Sequence, residues 1–196
     1  MDQKSARERR RDQRRRQRTR SILIWGGLGA GLIVLVAALL WPRVQPSVGV
    51  AVPVMESSAH VETGTDPGPY NSDPPTSGRH YGESLPSGFY EESEVANLGA
   101  YPEGRLVHSL EHGYVILWYD CERLSEGDCS QLKGQIRQGM DDAGNLKVIA
   151  FPWNSIEEPV VMTSWGQMLR MESFDPATAL QFIRTNRNRA PEPQAP

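Results

Sequence analysis

The sequence predicts an α+β protein: a single N-terminal transmembrane helix, then one compact mixed α/β exterior domain with a short antiparallel or mixed sheet and two helices. Three observations predict this class. Residues 21–41 carry no ionisable side chain. Two later segments have apolar residues at helical spacing, and runs rich in β-branched and aromatic residues lie near them. Because strands and helices mix without strict β-α-β alternation, α+β is the class that fits best.

Charge is divided sharply along the chain. Residues 1–20 hold ten Lys and Arg against three Asp and Glu, whereas the remaining residues hold eleven against twenty-one. As a helix, the uncharged run 21–41 would span roughly 31 Å at about 1.5 Å per residue, enough to cross a bilayer core. The positive-inside rule then leaves tail 1–20 in the cytoplasm. We therefore expect a single-pass cell-membrane protein whose C-terminal domain is extracytoplasmic.

The alternatives for the run 21–41 are a cleaved signal peptide and a buried core helix. A signal peptide has a shorter apolar region before an A-x-A-like site, whereas this run ends in WPRVQP. A core helix would have a polar face, and this segment has none. The lipid bilayer is thus the first predicted partner, and Gly27 and Gly31 would allow a homodimer through a GxxxG contact. The acidic domain argues against nucleic acid as a partner.

The exterior domain is predicted over residues 59–188, between a linker at 42–58 and a disordered tail at 189–196. Its first part, His60–Tyr101, is rich in Pro, Gly and Ser and predicts loops. The next part, Leu106–Tyr119 (LVHSLEHGYVILWY), predicts one long strand or a strand entered by a turn.

Two helices and two strands are expected in the rest of the domain. Cys129–Ala143 predicts a helix because apolar residues recur at every fourth position. Strands are predicted at Lys147–Trp153 and Pro159–Trp165, each bounded by turn residues. The last helix is opened by Asp175 as N-cap, with Pro176 at its first position.

All four histidines lie in the first half of this domain, which points to a metal site. His108 and His112 share a face on either a helix or a strand, and His80 follows a Pro-rich loop. Imidazoles suit zinc or copper, and a thioether from Met162 would favour copper. The sequence thus predicts a copper or zinc ion bound by His80, His108 and His112, with His60 or Met162 completing the site. Such a domain would handle metal or deliver it to a membrane protein partner.

Two other functions stay open. In a non-catalytic membrane assembly or scaffold protein, the histidines would serve internal hydrogen bonding. In a zinc hydrolase, His108–His112 would act as an H-x-x-E-H motif with Glu111 as base. That motif needs a helix, yet Gly113 and the β-forming YVILWY follow at once. On a strand Glu111 would face away from both histidines, so hydrolysis is the least favoured of the three.

Cys121 and Cys129 lie eight residues apart. Outside the cytoplasm they would form a disulfide, which closes a small loop and contributes about 2–3 kcal/mol by the chain-entropy estimate. The alternative makes them thiolate ligands beside the histidines, which requires a reducing environment.

Three blocks carry a family resemblance: NSDPPTSGRHY, LVHSLEHGYVILWY and VMTSWGQ, in this order behind a basic tail and one apolar run. With these blocks the chain resembles the bacterial family catalogued as domain of unknown function 3105, over roughly residues 60–188. The resemblance implies a cysteine pair at Cys121 and Cys129, and an apolar residue at the position of Met162. It also implies that the following match the family pattern: His60, His80, His108, His112, Thr163, Trp165 and Gly166. It names no reaction.

Overall fold

The computed structural model describes residues 25–27, 29–36 and 48–195. The chain divides into two units, Met1–Gln45 and Pro46–Pro196. In the first unit, residues 25–27 and 29–36 are helical, and Gly27 and Gly31 lie in these stretches. Within the described parts of the chain, no helix is long and apolar enough to cross a membrane. Tail 1–20 and most of the flanks of the run 21–41 lie outside the described residues, so the transmembrane helix stays a prediction.

The second unit is a mixed α/β domain. Its strands are β1 (Val50–Ala51), β2 (His60–Val61), β3 (His80–Tyr81), β4 (Gly88–Phe89), β5 (Val115–Tyr119), β6 (Val148–Pro152), β7 (Val160–Ser164) and β8 (Gln167–Met171). Its helices over residues 48–195 are α1 (Glu92–Val95), α2 (Glu103–Glu111), α3 (Glu126–Asp142) and α4 (Pro176–Asn186). The predicted mixed α/β domain is thereby confirmed, with more helices than the two expected.

Six strands form one mixed sheet in the order β1-β8-β7-β5-β6-β4. The central strand β5 pairs in parallel with β6 and antiparallel with β7. Strands β4 and β6 are also parallel, whereas β8 runs antiparallel to both β7 and β1. Strands β2 and β3 form a separate parallel pair, in which His60 is the register partner of His80.

The segment 106–119 is predicted as one long strand or a strand entered by a turn, and for its first half both alternatives are wrong. Residues 106–111 belong to helix α2, and only Val115–Tyr119 is a strand. The helix ends at Glu111 with His112 as C-cap, and the turn that follows contains Gly113, whose φ of 83° is one that glycine adopts readily. The Gly113 N–H donates to Leu110 O at 2.9 Å, and the Tyr114 N–H donates to Ser109 O at 3.1 Å. This pair of bonds is the Schellman ending of a helix.

Side chains of β5 alternate between the two faces of the sheet, and each face is covered by helices. Val115, Leu117 and Tyr119 pack with residues of α3 and α4. On the other face, Ile116 and Trp118 pack in a cluster that contains two residues of α2, Leu106 and Leu110. Helix α2 is therefore fixed to the sheet through residues four apart, which leaves its neighbouring positions free for other contacts.

The later elements agree with local signals in the sequence. Helix α3 begins at Glu126, three residues before the predicted start, because Ser125 is the N-cap and accepts from the Asp128 N–H. Strands β6 and β7 lie inside the predicted segments. Helix α4 begins at Pro176 behind the N-cap Asp175, as predicted. Strand β8, which pairs with β7, was not predicted.

Residues on both sides of the predicted domain contact it. Strand β1 falls in the predicted linker and pairs with β8. In the predicted tail, the Glu192 N–H donates to Glu111 O at 3.0 Å. Lys147 Nζ donates to Pro193 O at 2.8 Å and to His112 O at 2.9 Å. The final residues thus lie against the end of α2. The domain limits predicted at residues 59 and 188 stay predictions.

Candidate metal centre

Four side chains bring potential metal-ligating atoms together. His60, His80, His108 and Glu111 each offer one ligand atom, and these atoms all lie within 4.8 Å of one another. All four atoms therefore fit within about 3 Å of one common point, somewhat wider than the ~2.0–2.1 Å of a zinc–nitrogen bond. This group, called the donor cluster below, has the donor types and the spacing to hold a metal ion.

Two structural units supply the donor cluster. The parallel pair β2 and β3 places His60 beside His80. Helix α2 supplies His108 and Glu111, which share a helix face because they are three positions apart. The close approach of α2 to β3 depends on Gly104, since a Cβ there would lie 2.8 Å from ring atoms of Tyr81.

One ring nitrogen of His80 is fixed by its surroundings. Its ring is fully buried, and Nδ1 lies 2.8 Å from the carbonyl oxygen of Gly78. A carbonyl oxygen can only accept, so Nδ1 carries a proton and Nε2 is the nitrogen that faces the site. Metal-binding histidines are commonly oriented by such a bond from the opposite ring nitrogen.

Nε2 of His80 faces a carboxylate. Nε2 of His80 lies 2.9 Å from Oε2 of Glu111, yet this nitrogen has no hydrogen-bond partner. The distance suits an ion pair, but the alignment of the atoms is not that of a hydrogen bond. Two electron-pair donors held this close require a cation, either a proton or a metal ion.

His108 presents a second buried nitrogen without a partner. Its Nδ1 is buried and accepts or donates no hydrogen bond. Burial, followed by the neighbouring His112 and His80 rings, lowers the pKa of His108 to about 4. The ring is therefore neutral at pH 7 and offers a lone pair to a metal. An unsatisfied buried nitrogen costs about 1–3 kcal/mol, which a bound cation would offset.

Two residues of the predicted site lie outside the donor cluster. The ring of His112 packs 4.3 Å from that of His108, centroid to centroid, but its Nε2 lies 3.7 Å from Oε2 of Glu192 in the C-terminal segment. Met162 pairs in register with Leu117 and packs on the sheet face covered by α3 and α4. The expectation that Met162 is a ligand is therefore corrected, because α2 lies on the opposite face. The reason for favouring copper is removed with it.

The side chain of Glu111 points in a direction that the predicted strand did not allow. On a strand it would point away from His108, but on α2 the two residues face the same site. The helical spacing of Leu106 and Leu110, with Gly113 beyond them, was the signal that could have placed it. The H-x-x-E-H segment thus has the helix it needs, up to the C-cap His112. Its roles differ from the motif, because Glu111 is a donor and His112 is outside the cluster.

The cysteines do not join the histidines. Cys121 and Cys129 form the expected disulfide, with Cα atoms 5.3 Å apart. Glu92 lies near both sulfurs. A disulfide offers no thiolate, so the alternative of cysteine ligands is excluded for this state of the protein.

A family model matches most of the chain. The model described as "Protein of unknown function (DUF3105)" matches residues 60–196. The chain belongs to this family. The match begins at the first donor, His60, and includes the whole donor cluster, which confirms the resemblance seen in the sequence. Neither a curated protein nor a solved structure matches the chain. Because the family description states no activity, the function of this DUF3105 protein is argued from the site.

Replacing Glu111 distinguishes a metal site from a structural ion pair. In metal-free protein, Glu111→Gln is expected to leave the free energy of unfolding unchanged or raise it by up to about 1.5 kcal/mol, because an amide can donate to His80 Nε2. Urea unfolding with a chelator present measures this. Glu83→Gln, in an exposed pair with Arg105, is the control and should change stability by under about 0.5 kcal/mol. A loss of about 1–3 kcal/mol in Glu111→Gln would contradict the interpretation.

His108 should make metal-free protein sensitive to acid. Its pKa is about 4 in the folded state, against about 6.5 in an unfolded chain. Between these values the unfolded state binds the extra proton, so stability falls as pH falls, by at most about 1.4 kcal/mol per pH unit from this residue. Urea unfolding at pH 7, 6 and 5 should give a flatter profile for His108→Gln than for the wild type. Parallel profiles would show that this expectation is wrong.

Proposed function

We propose that this protein is a membrane-anchored extracytoplasmic metal-binding protein that holds one divalent transition-metal ion in the donor cluster. The observation that carries the proposal is the contact between His80 and Glu111. Two lone-pair donors lie 2.9 Å apart without a hydrogen bond, and the bond to Gly78 fixes the proton of His80 on the far side of its ring. A metal ion satisfies both donors at once, and the same ion would satisfy Nδ1 of His108.

Zinc is the metal we favour. Three imidazoles and one carboxylate are ligands that zinc binds at about 2.0–2.2 Å. Copper(I) prefers thiolate and thioether sulfur. The donor cluster contains neither, because Met162 lies on the other face of the sheet and the cysteines are oxidised.

The membrane location rests on the sequence. The uncharged run 21–41 behind a tail with ten basic residues supports an anchor with the domain outside. The disulfide between Cys121 and Cys129 fits an oxidising compartment. In this arrangement the anchor tethers the metal-binding domain to the membrane in which a partner would lie.

The other two functions are less well supported. A scaffold that used its histidines for internal hydrogen bonds would satisfy their buried nitrogens, yet His80 Nε2 and His108 Nδ1 have no hydrogen-bond partner. A zinc hydrolase needs a general base in addition to its ligands. Glu111 lies among the donors, so it is not free for that role.

Metal analysis of the full chain, purified in mild detergent without a histidine tag, tests the proposal. Wild type is expected to bind about one zinc ion per chain, and His80→Ala and His108→Ala less than about a tenth of that, because each loses an enclosed ligand. Met162→Leu is the matched control, since it conserves volume in the core and should retain the metal. Elemental analysis after exchange into zinc-containing and then zinc-free buffer gives the stoichiometry.

Two results would contradict the proposal. The first is wild-type protein that stays empty when offered zinc, copper(I) and copper(II). The second is loss of metal in Met162→Leu to the same degree as in His80→Ala, with all variants showing the same near-ultraviolet circular dichroism. The histidines would then be structural, or the site would lie on the other face of the sheet.

A further inference from the structure

Three donors of the cluster are enclosed by protein and the fourth faces solvent. The side chain of His80 is 0% exposed and that of Glu111 is 8% exposed. His108 is 6% exposed as a residue. The side chain of His60, by contrast, is 57% exposed. His60 is therefore the donor of the cluster that is most accessible to water.

The enclosed donors are also the ones held by rigid parts of the fold. His80 follows the buried residues 74–78 and is oriented by its bond to Gly78. His108 and Glu111 lie on α2, which is packed against the sheet. His60 lies on the two-residue strand β2, at the end of a run, 56–60, in which every residue is exposed.

From this asymmetry we infer that His60 is the exchangeable ligand of the site, and that an imidazole presented by another molecule takes its place on the solvent side. The inference rests on the proposed function. The metal would stay bound to His80, His108 and Glu111 while the fourth ligand changes. The site would then receive metal from a histidine-bearing partner, or pass it on, through the position of His60.

The exchange balances chemically. The bond from the metal to the His60 nitrogen breaks as a bond to the external imidazole nitrogen forms, and no proton or electron is transferred. One neutral nitrogen donor replaces another, so the charge of the site is unchanged. The displaced His60 ring can be hydrated, because 57% of its side chain is already exposed. Displacing His80 would instead leave a buried nitrogen without a partner.

Chemical rescue tests the inference. The full chain in detergent is loaded with cobalt(II) in place of zinc, and its visible absorption reports the ligand set. His60→Ala is expected to retain cobalt, but with a lower affinity than the wild type. The affinity should fall by at least roughly 10–100-fold, which is the cost of losing an outer-shell partner of a metal site. Free imidazole should restore the wild-type spectrum and affinity in this variant. His80→Ala should bind no cobalt and should not be rescued, because its position is closed to solvent.

The possible outcomes are distinct. Rescue of both variants, rescue of neither, or a His60→Ala protein as empty as His80→Ala would overturn the inference while leaving the proposed metal site in place. A wild-type protein that takes up neither cobalt nor zinc would overturn the proposed function, and this inference with it. If His80→Ala does not give the wild-type circular dichroism, His108→Ala replaces it as the enclosed-donor variant.

Discussion

The hydrogen bond from Nδ1 of His80 to the carbonyl of Gly78 is the interaction on which the chemistry of the site depends. It leaves the lone pair of Nε2 directed at Glu111, where a second electron-pair donor lies 2.9 Å away. A histidine with free choice of tautomer could donate to that carboxylate and form an ordinary buried pair. Because a backbone carbonyl already holds the proton on Nδ1, the pair of Nε2 and Glu111 needs a further cation, a proton or a metal ion, and the metal hypothesis takes the second of these.

Fold and site share helix α2. One set of its residues, Leu106 and Leu110, packs on the sheet, and neighbouring positions give His108 and Glu111 to the donor cluster. The turn at Gly113 then starts the central strand β5. Three members of the donor cluster are consequently attached to the core, whereas the fourth, His60, lies on a short exposed strand. Such a division suits a site that holds an ion firmly and still exchanges a ligand.

Local signals in the sequence predicted part of this arrangement. The Asp175-Pro176 pair was sufficient to predict the start of α4, and the residue runs of β6 and β7 were sufficient to predict these strands. The grouping of the histidines pointed to one site. Helix α2 was missed because its branched residues and the strand after it outweighed the stop at Gly113. The direction of Glu111 depends on whether its segment is a helix or a strand, and the sheet face of Met162 depends on the register of its strand. Contacts distant in sequence contribute to both. The proton on Nδ1 of His80 depends on the carbonyl of Gly78, which is near in sequence but is placed by the local backbone conformation.

The most direct measurement of the central claim is the X-ray absorption spectrum of the zinc-loaded full chain. The account predicts a first shell of nitrogen and oxygen at about 2.0–2.2 Å, with outer-shell scattering from three imidazole rings and no sulfur at ~2.3 Å. A sulfur scatterer would place the metal at the cysteines or a methionine, and a shell of oxygen without imidazole would place it at surface carboxylates. Either result would contradict a centre built from His60, His80, His108 and Glu111.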